Sequence, residues 1–345
     1  MMSEEQSMAG RDLSNIRKRT VDWRGIADIR LVAAEDGPGR GQRILLARNA
    51  LGVQFEVAVD RGFDIAALSY KGINLGWFGP NRQPSPGATT EDGGRGILRA
   101  FDGFLVTCGL DQFGVSAEGP GDHFIYPHRP TVHYPFHGRI ALQGAELTGH
   151  GLDMEADEPV LWCEGIVRQT VLFGEVLSLR RRIELPVFGQ TIRMRDKISN
   201  DGYRPARHGV LYHFNLGYPL LDRDSRLFGD CDAKDVAGFA AVPAVPADDF
   251  VELVDAVSLK PKDGSTSVGL SNPALGISLA IRQKTEQLPE LMMWRCYQSG
   301  IMALGIEPHT KLSADRLGHE GGNNPDFIEA GAVRRYELDV VIVDS

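Results

Sequence analysis

Period-two alternation of apolar and polar residues runs through most of the chain. Phe55, Val57 and Val59 fall on one face, and Glu56, Ala58 and Asp60 on the other. Leu177, Leu179, Ile183 and Leu185 alternate with Ser178, Arg180, Arg182 and Glu184. Ile192, Met194 and Ile198 alternate with Arg193, Arg195 and Lys197 in the same way. Ile277, Leu279 and Ile281, then Tyr336, Leu338, Val340 and Ile342, repeat the pattern toward the end. Successive side chains of a strand point to opposite faces, so each stretch predicts a half-buried antiparallel strand. Turn clusters separate them, among them Gly37-Pro38-Gly39, Asn200-Asp201-Gly202 and Gly321-Gly322-Asn323-Asn324-Pro325. A helix is expected only over Asp12–Arg19. Many strands with no helices between them predict an all-β protein, a large sandwich or a barrel. Two stretches, Pro80–Gly96 and Ala233–Asp249, show little alternation and are expected to form long surface loops. Neither a linker nor an internal repeat divides the chain. Residues 1–345 are therefore expected to form one domain, with residues 1–20 as an N-terminal extension.

Composition narrows the class. With 42% hydrophobic and 24% charged residues, the chain is neither disordered, collagen-like nor a coiled coil. Its 40 glycines and 19 prolines suit a turn-rich fold. No apolar run reaches the roughly 18 residues of a membrane helix. Met1–Gly10 is polar and acidic, unlike a secretory leader, so a cytoplasmic protein without a membrane partner is expected. Cys108, Cys163, Cys231 and Cys296 lie far apart with no CxxC pair, which predicts reduced thiols and no zinc site. The formal charge is -9, from 46 acidic and 37 basic residues. Nucleic acid is not an expected partner, because phosphate contacts need a basic surface. Arg180-Arg181-Arg182 and Arg193-Met194-Arg195 read as the solvated faces of strands.

Three segments carry candidate chemistry. In Val210-Leu211-Tyr212-His213-Phe214-Asn215-Leu216-Gly217, a strand would turn His213 and Asn215 to one face beside Gly217. In Phe136-His137-Gly138-Arg139-Ile140, strand alternation would place His137 and Arg139 together, a pairing suited to hydroxyls or carboxylates. In Ile301-Met302-Ala303-Leu304-Gly305-Ile306-Glu307-Pro308, Glu307 ends a face otherwise made of Ala303 and Gly305. A carboxylate set in such a concavity can be desolvated toward the pKa of a general base. Taken singly, each segment reads first as an ordinary strand face. His123, His128, His133 and His137 form no HxH or HExxH pattern and are separated by prolines, so no metal site is expected. A phosphate loop and a serine elbow are absent from the sequence as well.

In chain order, these segments resemble the galactose-mutarotase-like (aldose 1-epimerase) superfamily. Asp60-Arg61-Gly62-Phe63-Asp64-Ile65, Gly72-Ile73-Asn74-Leu75-Gly76-Trp77, Thr107-Cys108-Gly109-Leu110 and Gly305-Ile306-Glu307-Pro308 resemble a poorly characterised branch of it. The resemblance spans residues 40–343 and implies a large antiparallel β-supersandwich with few short helices. It implies that His213 is a general acid, Glu307 a general base and His137 a sugar ligand, with no metal or organic cofactor. The family's Asn-Arg pair corresponds either to Asn81-Arg82, far upstream, or to Asp111-Gln112, nearer the expected place. Its ring-hydroxyl aspartate would be Asp222, Asp230 or Asp232.

The implied activity is that of an isomerase interconverting the anomers of a monosaccharide or sugar derivative. The alternative is a non-catalytic carbohydrate-binding or regulatory protein that keeps the same pocket. Arg139, Asn215, Asp111 and Trp294 complete the expected substrate-binding set. Trp294 would form an apolar wall if its strand pairs with that of Glu307, and otherwise sits in the core. Arg139 would hold the carboxylate of an acidic sugar, or else pair with an acidic neighbour and leave a neutral one as substrate. A small-molecule carbohydrate is the expected partner, and a homodimer is left open.

Overall fold

The structure, a computed structural model, describes residues 16–85, 91–121, 130–238, 242–311 and 326–344. Strands are numbered in chain order. The first five pair consecutively into one sheet: β1 (Asp28–Ala33), β2 (Arg43–Arg48), β3 (Val53–Ala58), β4 (Asp64–Tyr70) and β5 (Ile73–Asn74). Then follow β6 (Leu105–Cys108) and the small ladder of β7 (Ala117–Pro120) and β8 (Thr131–Tyr134). The long strands come next: β9 (Ala145–Asp153), β10 (Val160–Thr170), β11 (Val176–Pro186) and β12 (Thr191–Asn200). After β13 (Ala206–Arg207) come β14 (Leu211–Gly217), β15 (Arg226–Gly229) and the helix α1 (Ala233–Gly238). The chain closes with β16 (Leu253–Ala256), β17 (Ser265–Asn272), β18 (Ile277–Lys284), β19 (Glu290–Cys296), β20 (Ala303–His309), β21 (Phe327–Ile328) and β22 (Val333–Asp344).

Two sheets dominate beside the first. One has eight strands in the order β15-β17-β18-β22-β12-β11-β10-β9, and the other five, β16-β19-β20-β14-β6. Every pairing within them is antiparallel. The expected all-β architecture is the one observed. Its core is built from the faces that the alternation predicts: Phe55 and Val57, Leu179 and Ile183, Ile192 and Met194, and Leu338 and Val340 are all buried together. Fully burying each such side chain contributes about 1.5–3 kcal/mol.

One expectation about the surface is overturned. Arg181 is completely buried, although its neighbours Arg180 and Arg182 form half-exposed pairs with Glu164 and Glu184. Leu179, Arg181 and Ile183 share the apolar face of β11, and the register sets Arg181 directly opposite Asp196 on β12. Arg181 Nε donates to Asp196 Oδ1 at 2.9 Å and Nη2 donates to Asp196 Oδ2 at 2.7 Å. Its Nη1 reaches Asp64 Oδ1 at 2.5 Å, and Nη2 also reaches Thr107 Oγ1 at 2.9 Å. Tyr212 completes the cluster by donating to Asp196 Oδ2 at 2.9 Å. One buried guanidinium thus fastens β4, β6, β11, β12 and β14 from behind. Burial disfavours its charge, but Asp196 and Asp64 more than offset this and keep it protonated.

The loop expectations hold in part. Ala233–Asp249 begins with α1, because Ala233-Lys234-Asp235-Val236-Ala237 contains no helix breaker and Val236 packs on the core. The described part of Pro80–Gly96 contains the single 3-10 turn Asp92–Gly94, and another, Gly96–Arg99, follows. Most of the helix expected over Asp12–Arg19, together with His123, His128 and the Gly321–Pro325 cluster, lies outside the described residues. Among the described residues no helix is long and apolar enough to cross a membrane.

Candidate active site

The alternation of β14 creates the site. Tyr212, Phe214 and Leu216 enter the core, so His213 and Asn215 must face the other way. Pairing of Asn215 with Gly305 and of Leu211 with His309 sets His213 opposite Glu307 on β20. On the far side of β20, β19 places Met292 beside Glu307 and Trp294 beside Gly305. His213, Asn215, Glu307, Met292 and Trp294 therefore share one face of the five-stranded sheet. A second apolar cluster, including Trp77, Phe101, Val106 and Met292, lines it.

His213 Nε2 lies 3.1 Å from Glu307 Oε1. The two do not form an aligned hydrogen bond, and His213 Nδ1, Glu307 Oε1 and Asn215 Oδ1 are all buried without a hydrogen-bond partner. The three lie together on the adjacent strands β14 and β20, and each costs about 1–3 kcal/mol when left unpaired. The Asn215 amide nitrogen is used internally, donating to Gly103 O at 3.0 Å and His213 O at 3.2 Å. Gly305 keeps the space clear. A Cβ there would lie 2.7 Å from Glu307 Oε1 and 2.8 Å from His213 Cε1.

Aromatic rings enclose the pair. Phe101 meets His213 edge-to-face with centroids 4.8 Å apart, Trp294 meets it at 5.5 Å and His137 at 5.7 Å. Phe101 is held in place from outside the sheet: Arg61 donates to Ala100 O, and Asn81 Nδ2 donates to Phe101 O at 3.0 Å. Trp294 stands against Trp77 at 6.4 Å, and Trp77 Nε1 donates to Ile301 O at 2.7 Å.

His137 arrives by a different route from the one its spacing suggests. Strand β8 ends at Tyr134, and His137 and Gly138 both have left-handed backbone, with φ of 58° and 75°. At Gly138 a Cβ would come within 2.3 Å of the carbonyls of Gly109 and Gln112, so only glycine fits. His137 N donates to Gly114 O, and Gly109 N donates to His137 O, which clamps the turn. The tight turn sends the imidazole toward His213 but breaks the alternation that would have carried Arg139 with it. Arg139 Nη1 instead pairs with Asp111 Oδ2 at 3.0 Å, and its Nη2 donates to His133 O. Asp111 is further occupied by Gln169, which donates to its Oδ1 at 2.7 Å.

Electrostatics follow from this buried, aromatic setting. Burial, with a smaller contribution from Glu252, pushes the Glu307 carboxyl up to about 8. Burial and then His137 hold His213 well below the usual histidine range, and burial alone brings His137 down to about 4. Both shifts favour an uncharged pair, a protonated Glu307 carboxyl beside a neutral His213.

The structure thus brings together His213, Glu307, His137, Asn215 and Trp294 and leaves Arg139 and Asp111 paired with each other. Asp230 and Asp232 form ion pairs with Lys262 and Lys260, and Asp222 closes a turn with Arg223 and Ser225. Sequence reasoning missed Phe101 and Glu252, which come from irregular segments with no periodic signal. Met292 was readable, since it shares the alternation of β19 with Trp294. No group of His, Cys, Asp and Glu among the described residues could hold a metal ion.

Residues 39–342 match a family model described as Domain of unknown function (DUF4432). Comparison with curated proteins gives no match. Among solved structures, a provisionally named aldose 1-epimerase from Klebsiella pneumoniae superposes with a TM-score of 0.78 at 20% identity, covering 92% of this chain and 83% of that one. A galactose mutarotase-like protein from Clostridium acetobutylicum gives 0.64 at 13% identity, covering 93% and 100%. A galactose 1-epimerase from Lactobacillus acidophilus gives 0.59 at 11% identity, covering 92% and 99%. The chain has the galactose mutarotase-like fold.

Proposed function

This chain belongs to the family described as Domain of unknown function (DUF4432), and from its buried site we propose that it interconverts the anomers of a sugar by acid–base ring opening. The observation that carries the reading is the contact between His213 and Glu307, with three polar atoms left unpaired around it. Sugar hydroxyls both donate and accept, and they would satisfy all three. Aromatic rings at the same place suit the C–H face of a pyranose.

Mutarotation breaks the C1–O5 bond, forms a carbonyl at C1, and recloses the ring on the opposite face. One proton leaves O1 and one arrives at O5. In the free protein the shifts favour a neutral His213, which keeps its own N–H, beside a Glu307 carboxyl that carries the transferable proton. Hydroxyls donating to the orphaned Oε1 favour the carboxylate, and the proton then passes across the 3.1 Å contact to His213. Glu307 removes the proton from O1 while His213 protonates O5, and reclosure reverses both transfers. His137 and Asn215 Oδ1 hold hydroxyls that keep the ring oriented. With Arg139 occupied by Asp111, a neutral aldose fits this site better than an acidic one.

Polarimetry of freshly dissolved aldoses tests the assignment. His213→Asn is expected to lose roughly 10²–10⁴-fold in rate, the usual contribution of a positioned acid or base. Equal rates in wild type and variant would refute the role of His213. Sugars that raise the melting temperature without any faster mutarotation would instead make the protein a carbohydrate binder. A second variant probes the geometry. Gly305→Ala is expected to fold normally but lose on the order of 10²-fold in rate, because the methyl group pushes the pair apart. Unchanged kinetics in this variant would show that the reacting groups lie elsewhere.

A further inference from the structure

The indole of Trp294 is not held by packing alone. Its Nε1 donates to Glu252 Oε2 at 2.8 Å. Glu252 immediately precedes β16, the outermost strand of the sheet, and β16 is fixed in place by pairing Val254 with Trp294 and Leu253 with Arg295. An ion pair between Arg295 and Asp255 ties the same two strands again. The carboxylate therefore reaches back over its own sheet edge to the aromatic wall beside His213. We infer that Glu252 is a positioning residue of this site, anchoring the Trp294 indole where it bounds the space above the His213–Glu307 pair.

The inference rests on the reading of this pocket as a sugar site, but its core is geometric. Two features give the anchor work to do. Trp294 is only partly buried and packs edge-on against Trp77, so the hydrogen bond to Glu252 adds to that packing in setting its orientation beside His213. The Trp294 Cβ also lies 3.1 Å from the place a Gly305 side chain would occupy, so this side chain borders the cleared space directly. The second consequence is electrostatic. The groups facing Glu307 are His213 on β14, with His137 beyond it, and Cys108 on β6. His309 on β20 is engaged with Glu290, and Glu252 supplies the nearby negative charge. Glu252 therefore favours the protonated form of Glu307 while it holds the indole.

Two variants separate these roles. Glu252→Gln keeps an oxygen acceptor for the indole but removes the charge, whereas Glu252→Ala removes both. The indole N–H resonance of Trp294, identified by its loss in Trp294→Phe, is read by ¹H–¹⁵N NMR without any sugar. It is expected to stay near its wild-type position in Glu252→Gln and to move clearly in Glu252→Ala. The ionisation midpoint of Glu307, followed by ¹³C NMR of its carboxyl, is expected to fall in both variants. On the sugar that wild type accelerates most, KM is expected to rise about threefold to tenfold in Glu252→Ala and little in Glu252→Gln. An indole resonance unmoved in Glu252→Ala would overturn the inference. Because that readout uses no substrate, it decides the matter even if no sugar proves to be turned over.

Discussion

Glu307→Gln is expected to lower the rate of anomer exchange by roughly 10²–10⁴-fold and, at the same time, to stabilise the protein against heat above about pH 8. The amide has the shape of the carboxyl but can neither release nor accept the transferred proton. The stability gain has its own cause. Folding raises this carboxyl from 4.5 to about 8, so the folded protein binds a proton more tightly than the unfolded chain. The stability this contributes is fully present below pH 4.5 and is lost as pH climbs through 8. Wild type should accordingly lose melting temperature relative to Glu307→Gln between pH 4.5 and 8, with the gap levelling off above. Glu175, another buried carboxyl lifted to about 7 by burial and then Asp111, titrates in both proteins and cancels in the difference. Parallel melting curves across this range would show that Glu307 ionises as an exposed glutamate does. Activity lost without any pH-dependent stability gain would separate the catalytic claim from the burial argument.

Arg181→Met is expected to cost about 3–5 kcal/mol of folding stability, measured by denaturant unfolding. Methionine matches the volume and the apolar surroundings, so packing is not the main loss. What remains is two carboxylates, Asp64 and Asp196, buried with their shared cation gone. Thr107 and Tyr212 still donate to them, yet neither supplies charge. Since Tyr212 lies next to His213 on β14, the variant should also loosen the strand that carries the histidine. A cost below 1 kcal/mol would mean that the cluster is neutralised by other means and does not brace the site strand.

The same cluster shows how far a single strand can be read. Periodicity placed Leu179 and Ile183 in the core correctly, and by that logic Arg181 and Asp196 belonged there too. Taken as one basic run with Arg180 and Arg182, Arg181 reads as solvated. The cost of burying either charge is offset only by its partner across the β11–β12 register, which is not written in either strand alone. The site divides along the same line. His213, Asn215, Glu307 and Trp294 sit on regular strands, and alternation predicts which residues of each strand share a face; that the faces of β14, β20 and β19 coincide follows only from their pairing. His137 comes beside His213 through a left-handed turn rather than along a strand, so strand alternation does not carry Arg139 to the same place. Glu252 and Phe101 approach from segments without periodicity, held by contacts such as Arg61 to Ala100 O that span distant parts of the chain. The helix α1 was missed because six residues are too few for a helical period to stand out.

Anomer exchange through His213 and Glu307 is what this pocket is proposed to carry out. Two-dimensional exchange NMR on aldoses at anomeric equilibrium tests it most directly, because the starting composition does not change and only the exchange rate is read. Wild type should produce strong cross-peaks between the α and β H1 resonances of at least one neutral aldose, and Glu307→Gln should return them to the uncatalysed level. A sugar that binds, with shifted protein resonances, but shows no faster exchange in wild type than in buffer would contradict it.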